Sequence, residues 1–353
     1  MRICWFGIYD GKYSRNAILL KGLAKNGVTV IECNAAWNDK MRYIKLFKNL
    51  LSLRGAFDCV YAAYPATVPV ILAKIISRKR VVMDAFYSMF DSVVNDRKEI
   101  TRFHPRAVKL LIIDWVSIML ADQVITDTEE HKKYWSTWWL VNPDKIKTIY
   151  LGSDTDTFFP QKHKKPFGET FLVHFHGKFI PLQGVPKIIE TARILKDDAT
   201  IRFRLVGSGR ESDAVNHLIQ KYALGNIECI DRVSTQALND FMSEADLVLG
   251  IFGDTAKAQR VIPNKVYEGL AAGRAVVTAD TPAMREIIKN DEVLIIENSP
   301  EALAGAILRL KADSVLRNKY AQSGHELFLK KFTPQLVAIS LLDFLKKTHE
   351  GKD

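Results

Sequence analysis

Short apolar runs alternate with longer segments of helical periodicity along most of the chain. In the first half these runs predict six strands, at residues 1–6, 28–33, 58–62, 80–83, 123–126 and 147–149. In the second half they predict six more, at residues 171–175, 201–206, 227–230, 247–249, 275–278 and 293–296. Strands that alternate with helices form parallel sheets with helices on both faces. The pattern therefore predicts an α/β protein of two doubly wound, Rossmann-like domains that face each other across a cleft.

A segment rich in Lys and Pro at 160–166 predicts the linker between these domains, with boundaries at 1–160 and 167–332. A helix is expected over 333–350 at the end of the chain. Another is expected over 15–26, with Ala17, Leu20 and Ala24 facing inward.

Residues 40–54, KMRYIKLFKNLLSLR, form a predicted amphipathic helix. Its apolar arc holds Tyr43, Ile44, Leu46, Phe47, Leu50, Leu51 and Leu53. Its polar face is basic, with Arg42, Lys45 and Lys48. Two interpretations stay open: the apolar arc packs into the core, or the helix contacts the anionic headgroups of a membrane.

The positive charge is unevenly distributed. The chain carries a net charge of +10, and residues 1–165, with 26 Lys and Arg against 16 Asp and Glu, account for all of the excess. Basic residues concentrated on one domain favour an anionic partner, such as membrane lipid or a phosphate-bearing acceptor. No nucleic-acid recognition motif accompanies them, so we expect no nucleic-acid partner.

The remaining composition favours a reduced, cytoplasmic protein, peripheral on the inner face of a membrane if it meets one. The four cysteines lack C-x-x-C spacing, and the histidines, among them His131, His174 and His176, show no metal-ligand pattern. The N-terminus has no signal-peptide pattern, and the apolar stretch 110–121 is too short to span a bilayer.

The strongest local motif is IPNKVYEGLAAGRAVV at 262–277, which predicts a helix that begins near Asn264 and ends at Gly273. The unpaired N–H groups at such a helix start attract phosphate. Lys265 adds a cation at this end, and Glu268, one turn further, can accept hydrogen bonds from sugar hydroxyls. A plain capped helix with a solvated Glu268 is the alternative.

Two glycine motifs follow predicted strands in the same half, HGKFIPLQG at 176–184 and VGSG at 206–209. The backbone at Gly177 and Gly184 can approach a ligand closely, and the strand end with Gly207 and Gly209 leaves room for a nucleotide base. Lys178 stands at the carboxyl end of its strand, where a diphosphate would lie. Together with the motif at 262–277, they place three ligand-binding motifs at strand ends of one domain, which indicates a nucleotide site.

In order and spacing these motifs resemble those of glycosyltransferase family 4, retaining enzymes with the two-domain GT-B fold. Gly11 falls where that family has its glycine-rich first loop, and YLGSD at 150–154 is similar to its interdomain motif. The resemblance covers nearly the whole chain. It implies an N-terminal acceptor domain, a C-terminal donor domain and a last helix that returns to the first.

The resemblance implies transfer of a hexosyl group from a nucleotide sugar, with retention and with no metal or cofactor, to a sugar or lipid-linked acceptor for polysaccharide assembly. Lys178 and the backbone of Asn264, Lys265 and Val266 would hold the donor diphosphate, and Glu268 the ribose hydroxyls. Fixed cations and amides would stabilise the departing diphosphate.

The sequence departs from the family pattern at two donor positions. Gln183 stands where the family has a phosphate-binding Lys, and Arg260 stands where it has the first Glu of E-x7-E. We expect Asp254 to replace that carboxylate and Arg260 to return the missing cation to the diphosphate. An exposed loop arginine is the alternative for Arg260.

In the first domain, Asp84 ends a strand near the position of a family histidine that lies close to the reacting carbon, so it is a candidate catalytic residue. A buried, helix-capping Asp is the alternative. For the whole protein, two other functions stay open: a nucleotide-sugar epimerase, and a non-catalytic GT-B protein that binds nucleotides.

Overall fold

The computed structural model describes residues 1–162, 170–289 and 291–347. The chain divides into two compact units. The first unit comprises Met1–Leu151 and the C-terminal segment from Pro334, and the second comprises Gly152–Thr333. This division falls after Leu151, whereas the sequence predicted a linker at 160–166. Residues 163–166 of that linker, the predicted domain start at 167 and residues 348–350 of the predicted last helix lie outside the described residues.

The first unit is built on a parallel sheet of six strands in the order β2-β1-β3-β4-β5-β6. Its strands are β1 (Arg2–Gly7), β2 (Thr29–Asn34), β3 (Cys59–Ala62), β4 (Arg80–Asp84), β5 (Gln123–Thr126) and β6 (Ile146–Thr148). Its helices are α1 (Ser14–Lys25), α2 (Arg42–Ser52), α3 (Thr67–Ile76), α4 (Pro105–Leu120), α5 (Glu129–Trp138) and the C-terminal α13 (Pro334–Lys347). A π-helical turn, Asp91–Asp96, and a 3-10 turn, Pro143–Lys145, lie in the connections.

The second unit repeats this architecture with a parallel sheet in the order β12-β11-β10-β7-β8-β9. Its strands are β7 (Phe171–His176), β8 (Ile201–Val206), β9 (Ile227–Ile230), β10 (Leu247–Leu249), β11 (Ala275–Ala279) and β12 (Leu294–Ile296). Its helices are α6 (Val185–Ile194), α7 (Ser212–Lys221), α8 (Thr235–Glu244), α9 (Asn264–Ala271), α10 (Pro282–Ile287), α11 (Pro300–Ala312) and α12 (Ser314–Lys331). A 3-10 turn, Pro181–Gln183, precedes α6.

The central strands are apolar on both faces because helices cover both sides of each sheet. All four residues of β3, Cys59–Ala62, are buried, as are the three of β10. On one side of the first sheet α1 packs against α13. Gly22 is required there because a Cβ would lie 2.0 Å from the carbonyl oxygen of Pro334.

The predicted strands agree with the observed ones, but one predicted helix face is wrong. In α1 the buried apolar residues are Ile18, Leu19 and Leu23, one position away from the predicted Ala17, Leu20 and Ala24. The predicted amphipathic helix is observed as α2. Its Leu46 and Leu50 are buried, whereas most of the predicted apolar arc faces solvent, so the arc as a whole does not pack into the core. Propensity and periodicity locate a helix, but the partner it packs against decides which side is buried.

Candidate active site

The second sheet has a topological switch point between β7 and β10. From β7 the chain passes to β8 and β9 on one side of the sheet, and from β10 to β11 and β12 on the other. In open α/β sheets the loops at the carboxyl edge part at this point and leave a crevice for a ligand. All but two of the predicted site residues belong to this unit.

Glycine backbone brings the loops of this edge close together. Gly207, with φ +136°, lies so near Gly177 that a Cβ would sit 2.0 Å from the Gly177 carbonyl oxygen. Gly184, with φ +67°, would place a Cβ 2.3 Å from the carbonyl carbon of Phe252. The predicted glycine motifs therefore have a structural reason, which is close contact between the loops after β7, β8 and β10.

Helix α9 begins at this edge with Asn264, and Pro263 precedes it as the N-cap. The N–H of Val266 donates to the Pro263 carbonyl over 3.0 Å, so this amide, a predicted phosphate ligand, is already engaged. The N–H groups of Asn264 and Lys265 belong to the first turn, which has no acceptors within the helix. They are the backbone donors that this helix start offers to an anion.

The side chain of Lys265 is buried beneath the loop that follows β7 and contains Gly177, which we call the glycine loop. Its Nζ lies 3.8 Å from the centre of the Phe175 ring and donates a hydrogen bond to Oε1 of Gln183. Burial lowers the pKa of Lys265 well below its usual value, while the charge of Glu268 opposes that shift. Gln183 stands at the position where the family has a lysine. Here its side chain accepts a hydrogen bond from a different lysine, Lys265 of α9.

Two histidines and Glu268 form a buried hydrogen-bonded chain. Nε2 of His174 lies 3.1 Å from Nδ1 of His176, and Nε2 of His176 lies 2.7 Å from Oε2 of Glu268. Because the carboxylate accepts, we assign the proton of His176 to Nε2, and its Nδ1 then accepts from His174. Burial and the nearby His176, Arg204 and Lys265 hold the pKa of His174 well below its usual value. The chain therefore fixes the orientation of the Glu268 carboxylate.

Sequence reasoning missed this histidine chain. The two histidines are adjacent on one face of β7, two residues apart, and Glu268 lies 92 residues further along the chain from His176. The sequence offers one signal, an H-x-H pair at the end of a strand, because alternate residues of a strand share a face. This pair does not indicate that Glu268 completes the hydrogen-bonded chain.

The other predicted residues of this unit have different surroundings. Lys178 is exposed directly after β7, and Arg260 is half-buried in the loop between β10 and α9. The carboxylate of Asp254 accepts hydrogen bonds from Lys187 Nζ at 2.6 Å and Asn298 Nδ2 at 3.1 Å. Asp254 thus ties its loop to α6 and to the segment after β12, and its contact with a donor sugar stays a prediction.

The remaining predicted residues, Asp84 and Gly11, belong to the first unit. Asp84 is fully buried at the end of β4 and accepts from Arg15 Nε at 3.0 Å, Arg15 Nη2 at 3.3 Å and the Tyr61 hydroxyl at 2.8 Å. Arg15 also donates to the Ile149 carbonyl over 2.8 Å. These contacts engage both oxygens of Asp84, so its catalytic role stays a prediction. A Cβ at Gly11 would meet nothing within 4 Å, so this structure shows no need for glycine there.

Within residues 1–162, 170–289 and 291–347, no group of three or more His, Cys, Asp or Glu side chains is arranged to hold a metal ion. No helix in the same ranges combines the length and apolar character that crossing a membrane requires.

Solved structures share this architecture over nearly the full length of the chain. Sucrose-phosphate synthase from Thermosynechococcus elongatus superposes with a TM-score of 0.77 at 13% identity, covering 99% of this chain and 100% of that one. HepE from Anabaena, in complex with UDP-glucose, gives a TM-score of 0.74 at 15% identity, covering 98% and 100%. The fold is therefore that of the GT-B glycosyltransferases, two parallel six-stranded sheets with flanking helices.

A family model matches most of the second unit. Residues 156–327 match the model described as Glycosyl transferases group 1. Membership of family 4 in particular stays a prediction.

Two curated relatives match a part of the chain. An uncharacterized glycosyltransferase of Methanocaldococcus jannaschii is 26% identical over 168 residues, 45% of this chain and 43% of that protein. The lipopolysaccharide core biosynthesis glycosyltransferase LpsD of Rhizobium meliloti is 23% identical over 181 residues, 51% and 50%. The chain thus spans about half the length of these relatives or less.

Proposed function

We propose that this protein is a retaining glycosyltransferase that moves a hexosyl group from a nucleotide sugar to a sugar or lipid-linked acceptor. One observation carries the proposal: Lys265 and Glu268 lie one turn apart on α9, beside His176, at the switch point of a group 1 glycosyltransferase domain. The complexes of HepE with UDP and UDP-glucose support a uridine nucleotide as the first donor to test.

The diphosphate would lie between the glycine loop and the start of α9. The hydrogen bond from Lys265 to Gln183 supports this position, because it delivers a cation to the place where the family has its phosphate-binding lysine. The amides of Asn264 and Lys265 would add hydrogen bonds, and the exposed Lys178 would approach from the end of β7. Arg260 would contribute a further cation from its loop.

Glu268 would hold the ribose hydroxyls. A carboxylate that already accepts one hydrogen bond from His176 keeps further lone pairs for donors from the sugar. Because Glu268 is almost fully buried, a ribose hydroxyl that reaches it meets little competition from water.

The proposed transfer needs no metal. The bond between the anomeric carbon and the diphosphate oxygen breaks, and the diphosphate leaves with the electron pair. The acceptor hydroxyl oxygen bonds to the anomeric carbon on the same face, and its proton passes to the leaving diphosphate. Fixed cations and amides lower the barrier by stabilising the charge that develops on that diphosphate.

The acceptor proposal rests on charge. All of the excess positive charge lies in residues 1–165, which favours an acceptor that carries phosphate or is embedded in an anionic membrane. The name of LpsD, from lipopolysaccharide core biosynthesis, supports a role in the assembly of a surface polysaccharide. We propose the cytoplasmic face of a membrane as the place of this assembly.

The proposal is tested by incubating the protein with UDP-, GDP- and ADP-sugars, with and without lipid-linked and free sugar acceptors, in the presence of EDTA. We expect release of nucleoside diphosphate from one donor that depends on an acceptor, with the anomeric configuration retained in the product. Conversion of a donor without acceptor identifies an epimerase, and nucleotide binding without turnover across the panel identifies a binding protein. Lys265→Met and Glu268→Gln should lose turnover, whereas Lys319→Met, an exposed lysine of the same unit, should keep it.

A further inference from the structure

The outer surface of the first unit has an unusual concentration of exposed apolar side chains. Of the 22 large hydrophobic residues exposed in the described part of the chain, 15 lie between residues 37 and 140. That stretch is less than a third of the chain. Clustered apolar exposure of this kind marks an interaction surface, whereas single exposed residues do not.

Helix α4 contributes the largest part of this surface. Its buried side includes Ala107, Leu110, Ser117 and Ile118. Its exposed apolar residues follow the helical repeat along one outward face: Val108, Leu111, Ile112, Trp115 and Met119. Helix α4 is therefore apolar on its inward and its outward face, a pattern typical of a helix that is buried all round.

Helix α2 presents a second apolar face. Leu46 and Leu50 pack inward, while Tyr43, Ile44, Phe47 and Leu51 are all 40–48% exposed. These are the residues that the sequence placed on the apolar arc of an amphipathic helix. The structure leaves four of them uncovered.

The two faces belong to one layer of helices. The connections β2-α2-β3, β3-α3-β4 and β4-α4-β5 all step in the same direction along the sheet, so right-handed crossovers place α2, α3 and α4 on one side. Helix α3 packs against both α2 and α4. We call the outward faces of α2 and α4 the helix-layer surface.

The charge on the helix-layer surface is positive. Residues 40–54 contain five basic residues and no acid. On α4 and the turn before it, Arg102, Arg106 and Lys109 are exposed, while Asp114, the acid within the helix, is completely buried. Asp39, directly before this stretch, pairs with Lys45 over 2.5 Å. Within residues 40–54 and along α4, the apolar side chains lie beside lysines and arginines with no exposed acid among them.

From this juxtaposition we infer that the helix-layer surface binds a bilayer containing anionic lipids. Apolar side chains of α2 and α4 enter the boundary between headgroups and acyl chains, and the flanking basic side chains contact the phosphates. Trp115 and Tyr43 have the amphipathic rings that favour this depth. A second copy of the chain is a poorer occupant because it would bring two basic surfaces together.

This inference extends the membrane interpretation of residues 40–54 to α4, which carries the larger apolar face. It does not depend on the proposed sugar transfer, because membrane binding is measured without donor or acceptor.

The test is co-flotation of the full chain with phosphatidylcholine vesicles, with and without phosphatidylglycerol. We expect binding that requires the anionic lipid and weakens with salt. The double variant Ile112→Asp/Trp115→Asp should reduce the partition coefficient about tenfold or more, since both side chains leave the apolar boundary. Lys45→Glu and Lys48→Glu should each reduce it about fivefold or more.

The control variant is Val315→Asp, at a 78% exposed apolar position on α12, which should bind vesicles like the wild type. Circular dichroism melting confirms that each variant is folded. Equal binding to both kinds of vesicle, no binding at all, or equal losses in the control would overturn the inference. So would a dimer in light scattering that Ile112→Asp/Trp115→Asp converts to a monomer, because the occupant would then be a second copy.

Discussion

Lys265 makes a specific prediction about pH and nucleotide binding. Its ammonium group is buried, and burial lowers its pKa well below the usual value for lysine. A bound diphosphate would place negative charge beside Nζ and raise that pKa again. Binding should therefore be accompanied by proton uptake over the pH range between the pKa of free Lys265 and that of the complex.

The sign and size of the effect follow from linkage. Below the pKa of free Lys265 the ammonium is charged in both states, so affinity is at its maximum. Above it, the free protein loses the proton that the complex keeps, so affinity falls as pH rises. One proton taken up changes the dissociation constant about tenfold for each pH unit, or about 1.4 kcal/mol.

Calorimetric titration with UDP in two buffers of different ionisation enthalpy measures this proton directly. We expect net uptake that approaches one proton at alkaline pH and a dissociation constant that rises with pH. The uptake should disappear in Lys265→Met, whereas Lys319→Met should behave as the wild type. Affinity that is independent of pH in the wild type, or uptake that persists in Lys265→Met, would refute the reasoning.

Four further predictions concern residues with defined contacts. His176→Gln should weaken nucleoside diphosphate binding about tenfold, with a smaller change in kcat, because it loosens the Glu268 carboxylate; titration and steady-state kinetics check this. Asp84→Asn should lower the free energy of unfolding by about 3–5 kcal/mol, since it leaves a buried guanidinium unpaired, and urea denaturation measures it. Gly184→Ala should lower Tm and nucleotide affinity because its Cβ meets backbone at 2.3 Å, while Gly225→Ala, with open space, should not. Burial raises the pKa of Asp114 to about 6. The proton that the folded state holds on this carboxyl therefore stabilises the protein fully below the unfolded pKa near 4, and this stabilisation is lost as pH rises through 6. Asp114→Asn should remove this pH dependence, about 3 kcal/mol, from the free energy of unfolding measured in denaturation curves.

The alternation of strands and helices could be predicted from the sequence because most strands are continuous apolar runs. The buried β3, β8 and β11 are examples, and periodicity of this kind survives in any packing arrangement. The buried side of each helix was harder to predict. The inward side of α1 is set by α13, more than 300 residues away, and no local pattern contains that contact.

At the candidate site, the glycine motifs and the start of α9 were predictable because they are local. The partners of the side chains were not. Gln183 holds Lys265 from another segment, and Asp84 pairs with Arg15 through the tertiary fold. A charged residue that resembles a catalytic candidate in the sequence can have a buried partner in the fold, and the sequence does not show which residues do.

The most direct test of the central claim is a crystal structure of the full chain with UDP. We predict a diphosphate within hydrogen-bonding distance of Lys265 Nζ and the amides of Asn264 and Lys265, with the ribose against Glu268. A crystal grown at saturating nucleotide in which this crevice is empty, or in which UDP lies elsewhere, would contradict the proposed donor site.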